Sequence, residues 1–277
     1  DYGRAAVARN PKDAWSVHSI AHVLEMTERH EEGIEWVAGL EKDWSTVNNF
    51  RFHLYWHKCL YHLERGEFDL VLKIYDEQVA SDIESDFYLD ICNCSSLLWR
   101  LEMFGIDVGG RWSDLSDVAQ KHLGDKDLIF VSLHYLMALV ANGDRDAARQ
   151  LQDGLQEWSA LDGTQARICA DVGLAIADGL QKARDGDFAA AVARMEPVRY
   201  SLNRIGGSAA QRDVFMMIML DAARASHDAL KARALFADRL GDKVHSSWTW
   251  KNYGGILETM GRTDAAARAL EKSRTAL

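Results

Sequence analysis

The chain of 277 residues is 48% hydrophobic and 27% charged and carries nine tryptophans, a composition that excludes intrinsic disorder. Its formal net charge of −10, with acidic and basic residues interspersed, leaves no basic patch, so we expect no nucleic-acid partner. No apolar run approaches the roughly 18 residues of a membrane-spanning helix, and no signal-peptide core is evident. We therefore expect no membrane partner and a cytoplasmic location.

The chain opens with DYGRAAVARNPKD, residues 1–13, which is typical of the end of a helix stopped by Asn10-Pro11. The array of helices described next then begins partway through a unit, and we expect an N-terminal portion of it to be absent. An array cut at a helix start exposes an apolar end, so we also expect self-association into a homo-oligomer.

Helix, tight turn and helix form the repeated unit of this sequence. The first turn lies near Glu28 to His30, a later turn lies near His227, and five turns contain glycine at intervals of 39, 38, 43 and 75 residues: Gly66, Gly105, Gly143, Gly186 and Gly261. Intervals of this size, in a chain with only two prolines, are typical of tetratricopeptide-like repeats. We predict an all-α fold, a single array over residues 1–277 of about seven helical hairpins stacked in a right-handed superhelix, an α-solenoid.

The repeat register indicates which side chains of the first two units face the concave groove. His18, His22 and Glu25 fall on one stripe of the first helix at steps of four and three. His53 and His57 are four residues apart on the corresponding helix of the next unit. His62 lies about half a turn away from His53, so we expect it to pack rather than to face the groove.

Later units contribute further polar candidates. The third unit brings Ser95, Ser96 and Arg100 to the level of His57, and the fourth brings His134, so that histidines and serines form a row across neighbouring helices. Further on, Gly206-Gly207 precedes Ser208 and Gln211, spaced as a capping box. Gln211, Arg212 and Asp213 begin the helix that follows, and Arg212 would present a guanidinium fork to a carboxylate in the groove.

Two HxxxH pairs together with Glu25 supply ligand types suited to a zinc-like divalent metal, or a general base with a partner carboxylate. We assign His18, His22 and His57 as candidate metal ligands. The alternative is that these histidines only pack or bind a ligand, because HxxxH without the glutamate of HExxH has low specificity. Asp86, Tyr88 and Asp90 either accept hydrogen bonds from these imidazoles or cap the helix that follows them.

Several longer segments resemble the tetratricopeptide repeat protein 38 family: WSVHSIAHVLEM, YWHKCLYHLERGEF, KIYDEQV, SSLLWRLEMFGIDVGGRW, FVSLHYLMALVANG and GGSAAQRDVF. The resemblance covers essentially the whole chain and implies an all-helical array within a longer protein. Ala209 departs from the family pattern, which more often has histidine at that position. The family carries no activity that can be transferred to this chain.

Two functional hypotheses follow from these residues. In the first, the array binds a peptide, a protein or a small polar ligand in its concave groove. The alternative is an enzyme, such as a metal-dependent hydrolase, with a pocket lined by histidine and glutamate. The candidate ligand-binding residues under either hypothesis are His18, His22, Glu25, His53, His57, Ser95, Ser96, Arg100, His134, Gln211, Arg212 and Asp213.

Overall fold

A computed structural model describes residues 2–275, which are predominantly helical and contain no β-strand within that range. The all-α prediction is therefore confirmed. The α-helices are α1 Tyr2–Arg9, α2 Ala14–Met26, α3 His30–Gly39, α4 Glu41–Trp44, α5 Phe50–Glu64, α6 Phe68–Ile74, α7 Tyr88–Met103, α8 Trp112–Ala119, α9 Ile129–Asn142, α10 Arg145–Ser159, α11 Thr164–Ile168, α12 Leu174–Arg184, α13 Phe188–Met195, α14 Ala209–Ala225, α15 Ala229–Asp242, α16 Ser247–Thr259 and α17 Thr263–Thr275.

Short π and 3₁₀ segments extend or join these helices. A π-helical segment, Tyr75–Val79, continues α6, and a second one, Cys169–Gly173, joins α11 to α12. A longer 3₁₀ segment, Glu196–Ile205, follows α13 and leads into α14. Shorter 3₁₀ segments are Ile83–Ser85, Gly109–Arg111 and Gln120–His122.

The turns expected from the sequence lie between consecutive helices. All five predicted turn glycines have φ between 71° and 85°, the left-handed conformation that glycine adopts without steric cost. Glu28 and His227 adopt the same conformation at the two turns without glycine, with φ of 56° and 64°. Each of these turns reverses the chain, so that the second helix packs against the first.

Contacts between helices follow a regular order. Neighbours in sequence pack as α2 with α3, α5 with α6, α7 with α8, α9 with α10, α12 with α13, α14 with α15 and α16 with α17. The first members of successive pairs also pack together, α2 on α5, α5 on α7, α7 on α9, α9 on α12 and α12 on α14. The main hydrophobic core has Trp44, Trp56, Tyr61, Phe215 and Phe236 among its fully buried side chains, and a small separate cluster of Leu257, Ala266 and Ala269 lies between α16 and α17.

The helical array also makes contacts across its interior. Helix α14 packs against α7 and α2, which lie far from it in sequence. Next to it, Lys243 Nζ contacts Glu25 Oε1 at 2.8 Å, and the backbone N–H of His245 donates to Glu28 Oε2 at 2.9 Å. The Trp248 Nε1–H donates to the carbonyl of Met103 at 3.1 Å. Residues 243–248 therefore join the last helical pairs to the first three.

Candidate metal centre

Helices α2 and α5 bring four histidines together. His18 and His22 are one turn apart on α2, and His53 and His57 are one turn apart on α5, so each helix presents two imidazoles on one face. One potential ligand atom from each of the four lies within 4.8 Å of every other. We call these four residues the histidine cluster.

Local sequence holds the two helices in register. The side chain of Asp13 accepts hydrogen bonds from the backbone N–H of Ser16 at 3.2 Å and from its hydroxyl at 2.6 Å, which fixes the start of α2. One residue into that helix, the indole of Trp15 stacks on the ring of Phe50, the first residue of α5, with centroids 4.2 Å apart. These contacts fix the start of α2 against the start of α5.

The rings of the cluster are in direct contact. The centroid of His18 lies 4.3 Å from that of His22, 4.8 Å from His53 and 5.0 Å from His57. The Nε2 atoms of His18 and His53 are 3.0 Å apart. His53 and His57 are buried, whereas His18 and His22 are half-buried and form the side of the cluster closest to solvent.

The environment keeps these imidazoles neutral at pH 7. Burial, with the proximity of His53 and His22, lowers the pKa of His18 to about 2. Burial lowers the pKa of His53 to about 4 although its hydrogen bond to Asn93 acts in the opposite direction. Burial also lowers the pKa of His22, and burial together with three neighbouring imidazoles holds that of His57 well below its ordinary value. Neutral imidazoles have the lone pair that a metal ligand needs.

His57 stands out because it is fully buried and neither ring nitrogen has a hydrogen-bond partner. A buried polar group without a partner costs roughly 1–3 kcal/mol, so native structures rarely leave one unexplained. The rings around it are the three other imidazoles of the cluster and the indole of Trp56, whose centroid is 5.0 Å away. A bound cation would satisfy one of these nitrogens.

The donor set indicates which cations fit. Four imidazole nitrogens with no carboxylate suit zinc, copper, nickel or cobalt, whereas magnesium and calcium require oxygen ligands. A tetrahedral zinc site with bonds of about 2.0–2.1 Å places its nitrogens about 3.3 Å apart. The observed 3.0 Å separation of His18 Nε2 and His53 Nε2 is close to that value.

The structure brings together the three residues assigned as metal ligands from sequence, His18, His22 and His57, and adds His53. It does not place His134 with them. The His134 ring packs between Phe130 and Phe215, at centroid distances of 4.4 Å and 5.2 Å, and its Nδ1 lies 2.7 Å from the carbonyl of Phe130. Glu25 also lies outside the cluster, because it pairs with Lys243.

The predicted hydrogen-bond acceptors for the imidazoles are wrong. Asp86 instead contacts Nε2 of His122 at 2.8 Å, neither oxygen of the buried Asp90 has a partner, and neither side chain caps α7. The acceptor is Asn93, whose Oδ1 lies 3.0 Å from Nδ1 of His53. Sequence reasoning missed Asn93, although it lies on α7 within one turn of the serines that were expected to face the groove.

The two serines differ in their roles. Ser96 Oγ accepts a hydrogen bond from Trp56 Nε1 at 3.1 Å and donates to the carbonyl of Asn93 at 3.0 Å. Ser95 is buried and its hydroxyl has no partner. His62 is buried away from the cluster and contacts Glu67, in agreement with its expected packing role.

Three further candidates, Glu25, Arg100 and Asp213, belong to a second region, in the space between α2, α5, α7, α14 and α15. Arg100 is buried and donates to the carbonyls of Ser96 at 3.2 Å and Ala210 at 2.7 Å. Asp213 accepts two hydrogen bonds from Arg239, at 2.6 Å and 2.9 Å. We call this region the interior charge network, and its members are Glu25, Glu28, His30, Glu64, Arg100, Asp213, Arg239 and Lys243, around a cavity of about 20 Å³.

Two predictions about the start of α14 have opposite outcomes. The capping box of Ser208 and Gln211 is present, with hydrogen bonds of 3.2 Å and 2.9 Å. The guanidinium fork predicted for Arg212 is wrong, because that side chain donates to the carbonyls of Gly206 and Gly207. In the interior charge network the arginine that forks a carboxylate is Arg239, which sequence reasoning did not single out.

A comparison of the chain with profiles of known protein families finds no match. Within residues 2–275, none of the helices combines the length and apolar character needed to cross a bilayer. The geometry of the histidine cluster is therefore the main guide to function.

Proposed function

We propose that the protein binds one divalent transition-metal ion of the zinc class through His18, His22, His53 and His57. The observation that carries this proposal is the convergence of four neutral imidazoles, one of which, that of His57, is buried with both nitrogens unpartnered. A metal ion at this position would use the lone pair of His57, which the protein otherwise leaves without a partner.

The donor count favours a structural or storage site over a catalytic one. Zinc sites that hold the fold together are closed by four protein ligands, whereas catalytic sites keep one position for water or substrate. The alternative function, a metal-dependent hydrolase, requires one imidazole to leave the ion. His22 is the best candidate for that role, because it is half-buried and its ring makes no hydrogen bond to any side chain or backbone group among residues 2–275.

A second candidate function is the binding of a small polar ligand beside the metal, and a specific cleft supports it. The cleft has a volume of about 670 Å³ and includes Trp15, Phe50 and Tyr88 in its lining. The indole of Trp15 is 67% exposed although it stacks on Phe50, and both rings contact His18. A planar or apolar group of a metal ligand would pack against these rings.

The regular order of helix contacts and the left-handed turns support a tetratricopeptide-like superhelix as the scaffold. The interior charge network and the contacts of α14 with α2 and α7 favour a small ligand over an extended peptide in the concave groove. If the array also binds a protein, we propose that this partner contacts the outer surfaces of the array and not its concave groove.

The test is metal binding by the purified chain after treatment with a chelator. We expect one equivalent of Zn²⁺ or Co²⁺, with a Co²⁺ absorption spectrum typical of nitrogen ligands, and no binding of Mg²⁺. At a free metal concentration 100 times the Kd, the ion stabilises the fold by about 2.7 kcal/mol, which raises the Tm by about 5 °C.

Two variants and one control separate the cluster from general histidine binding. His57→Ala and His22→Ala should each lower the metal affinity at least tenfold. Because His22 is half-buried, His22→Ala should fold even if the loss of the buried His57 side chain disturbs folding. His62→Gln is the matched control, because His62 lies on α5 outside the cluster. Equal metal binding by all four proteins, or none by the wild type, would refute the proposal.

A further inference from the structure

Asn93 is the one residue of α7 whose side chain reaches the histidine cluster through a hydrogen bond. Its Oδ1 lies 3.0 Å from Nδ1 of His53, and the residue is only 1% exposed. The amide nitrogen has no partner, so the contact with His53 is the side chain's only hydrogen bond within the described residues. This arrangement places a fixed acceptor behind one ring nitrogen of a candidate ligand.

An amide oxygen can only accept a hydrogen bond, so its neighbour must donate. His53 must therefore carry its proton on Nδ1, which leaves the lone pair on Nε2. That Nε2 points toward the cluster, where it lies 3.0 Å from Nε2 of His18. The tautomer that Asn93 selects is the one in which His53 can bind an ion shared with His18.

Trp56 holds the His53 ring in this geometry and links it to α7. The indole of Trp56 stacks on the His53 ring, with centroids 5.1 Å apart and an interplanar angle of 13°. The same indole donates to Ser96 Oγ, which in turn donates to the backbone carbonyl of Asn93 one turn earlier on the helix. Trp56 therefore fixes the plane of the imidazole, and its bond to Ser96 ties that indole to the helix that carries Asn93.

We propose that Asn93 is a positioning residue, which selects the Nδ1–H tautomer of His53 so that the metal is bound through Nε2. This inference rests on the proposed metal site. Acceptors of this kind orient metal-bound histidines and raise their basicity, and their removal typically lowers metal affinity 10–100-fold.

The experiment compares the Zn²⁺ affinity of three variants with that of the wild type by chelator competition. Asn93→Leu keeps the approximate volume and removes the acceptor, so it should bind Zn²⁺ 10–100-fold more weakly. Asn93→Asp restores an acceptor oxygen and should recover most of that loss. Cys92→Ala is the packing control, since Cys92 is the buried neighbour on the same helix, and it should bind like the wild type.

Nitrogen-15 NMR of the metal-free wild type gives a readout that packing alone would not change. We expect the His53 signals of an Nδ1–H tautomer, and their change to the Nε2–H form in Asn93→Leu. If the wild type binds metal and Asn93→Leu binds it equally well, or if wild-type His53 carries its proton on Nε2, the positioning role is refuted. If the wild type binds no metal, the metal site itself fails, whichever tautomer the NMR shows.

Discussion

The buried pair of Asp213 and Arg239 provides a quantitative test of the interior charge network. The two side chains are 19% and 5% exposed, and the guanidinium donates to both carboxylate oxygens. Arg239 also donates through Nε to Thr249 Oγ1 at 3.0 Å. Asp213→Asn removes the negative charge and turns an amide group toward the arginine, which leaves a buried cation without its counter-ion.

Breaking a buried ion pair from one side costs about 3–5 kcal/mol. With an m value of about 3 kcal/mol/M in urea, this lowers the unfolding midpoint by about 1–1.7 M. Replacing both partners, as in Asp213→Asn with Arg239→Met, should recover part of the loss because no unpaired charge remains buried.

The chain offers a matched control for burial. Asp76 and Arg111 form the same two-bonded pair, at 2.7 Å and 2.6 Å, but their side chains are 46% and 29% exposed. Asp76→Asn should cost no more than about 1 kcal/mol. Urea unfolding followed by circular dichroism at pH 7 measures both variants, and equal losses in the two would refute the claim that burial sets the magnitude.

The pH dependence of this pair has a definite sign. Arg239 and Lys243 hold the pKa of Asp213 below its usual value, against the opposing effect of burial. The stabilisation is therefore complete above the unfolded-state pKa of about 3.9 and is lost as the pH falls through the lower folded-state value. The difference between wild type and Asp213→Asn should be at its full size at pH 5 and shrink below about pH 4.

Two further predictions concern Glu64 and Gly33. Burial raises the pKa of Glu64 to about 7, so the folded state keeps a proton that the unfolded state has lost, and stability falls as the pH rises from about 4.5 to 7. Glu64→Gln should flatten this decline, by up to about 3 kcal/mol, in urea titrations at pH 5 and 8, and a decline of unchanged size would contradict the assignment. A Cβ on Gly33 would lie 2.5 Å from the ring of Tyr61, which is tied to the carbonyl of Ala21 by a 2.6 Å hydrogen bond. Gly33→Ala should therefore lower stability by about 1–3 kcal/mol, while Gly39→Ala on the same helix, with open space around it, should not, and equal effects would argue against the clash.

Much of the helical organisation could be predicted from local sequence. Glycines at regular intervals mark turns because the left-handed conformation after a helix favours them, and a spacing of four places His18 with His22 and His53 with His57 on helix faces. The repeat register then predicted that α2 and α5 face each other. It left His53 out of the metal set, because it counted helix positions and could not give the rotation of each helix about its axis.

The interior charge network lay beyond such reasoning. Arg239 lies on α15, the second helix of its pair, and repeat counting assigns only first helices to the groove. Its partnership with Asp213 depends on how α15 packs on α14, and the pairing of Lys243 with Glu25 joins residues 218 positions apart. Local periodicity carries no information about contacts at that separation.

The contacts of Lys243 and His245 with Glu25 and Glu28 bear on how the protein unfolds. In a linear array each unit touches only its neighbours, so the outermost units fray first and the middle persists. Here the early and late helices protect one another, and loosening either one exposes charges on both. Amide hydrogens of α2 and α15 should therefore exchange with similar protection, as parts of one cooperative unit.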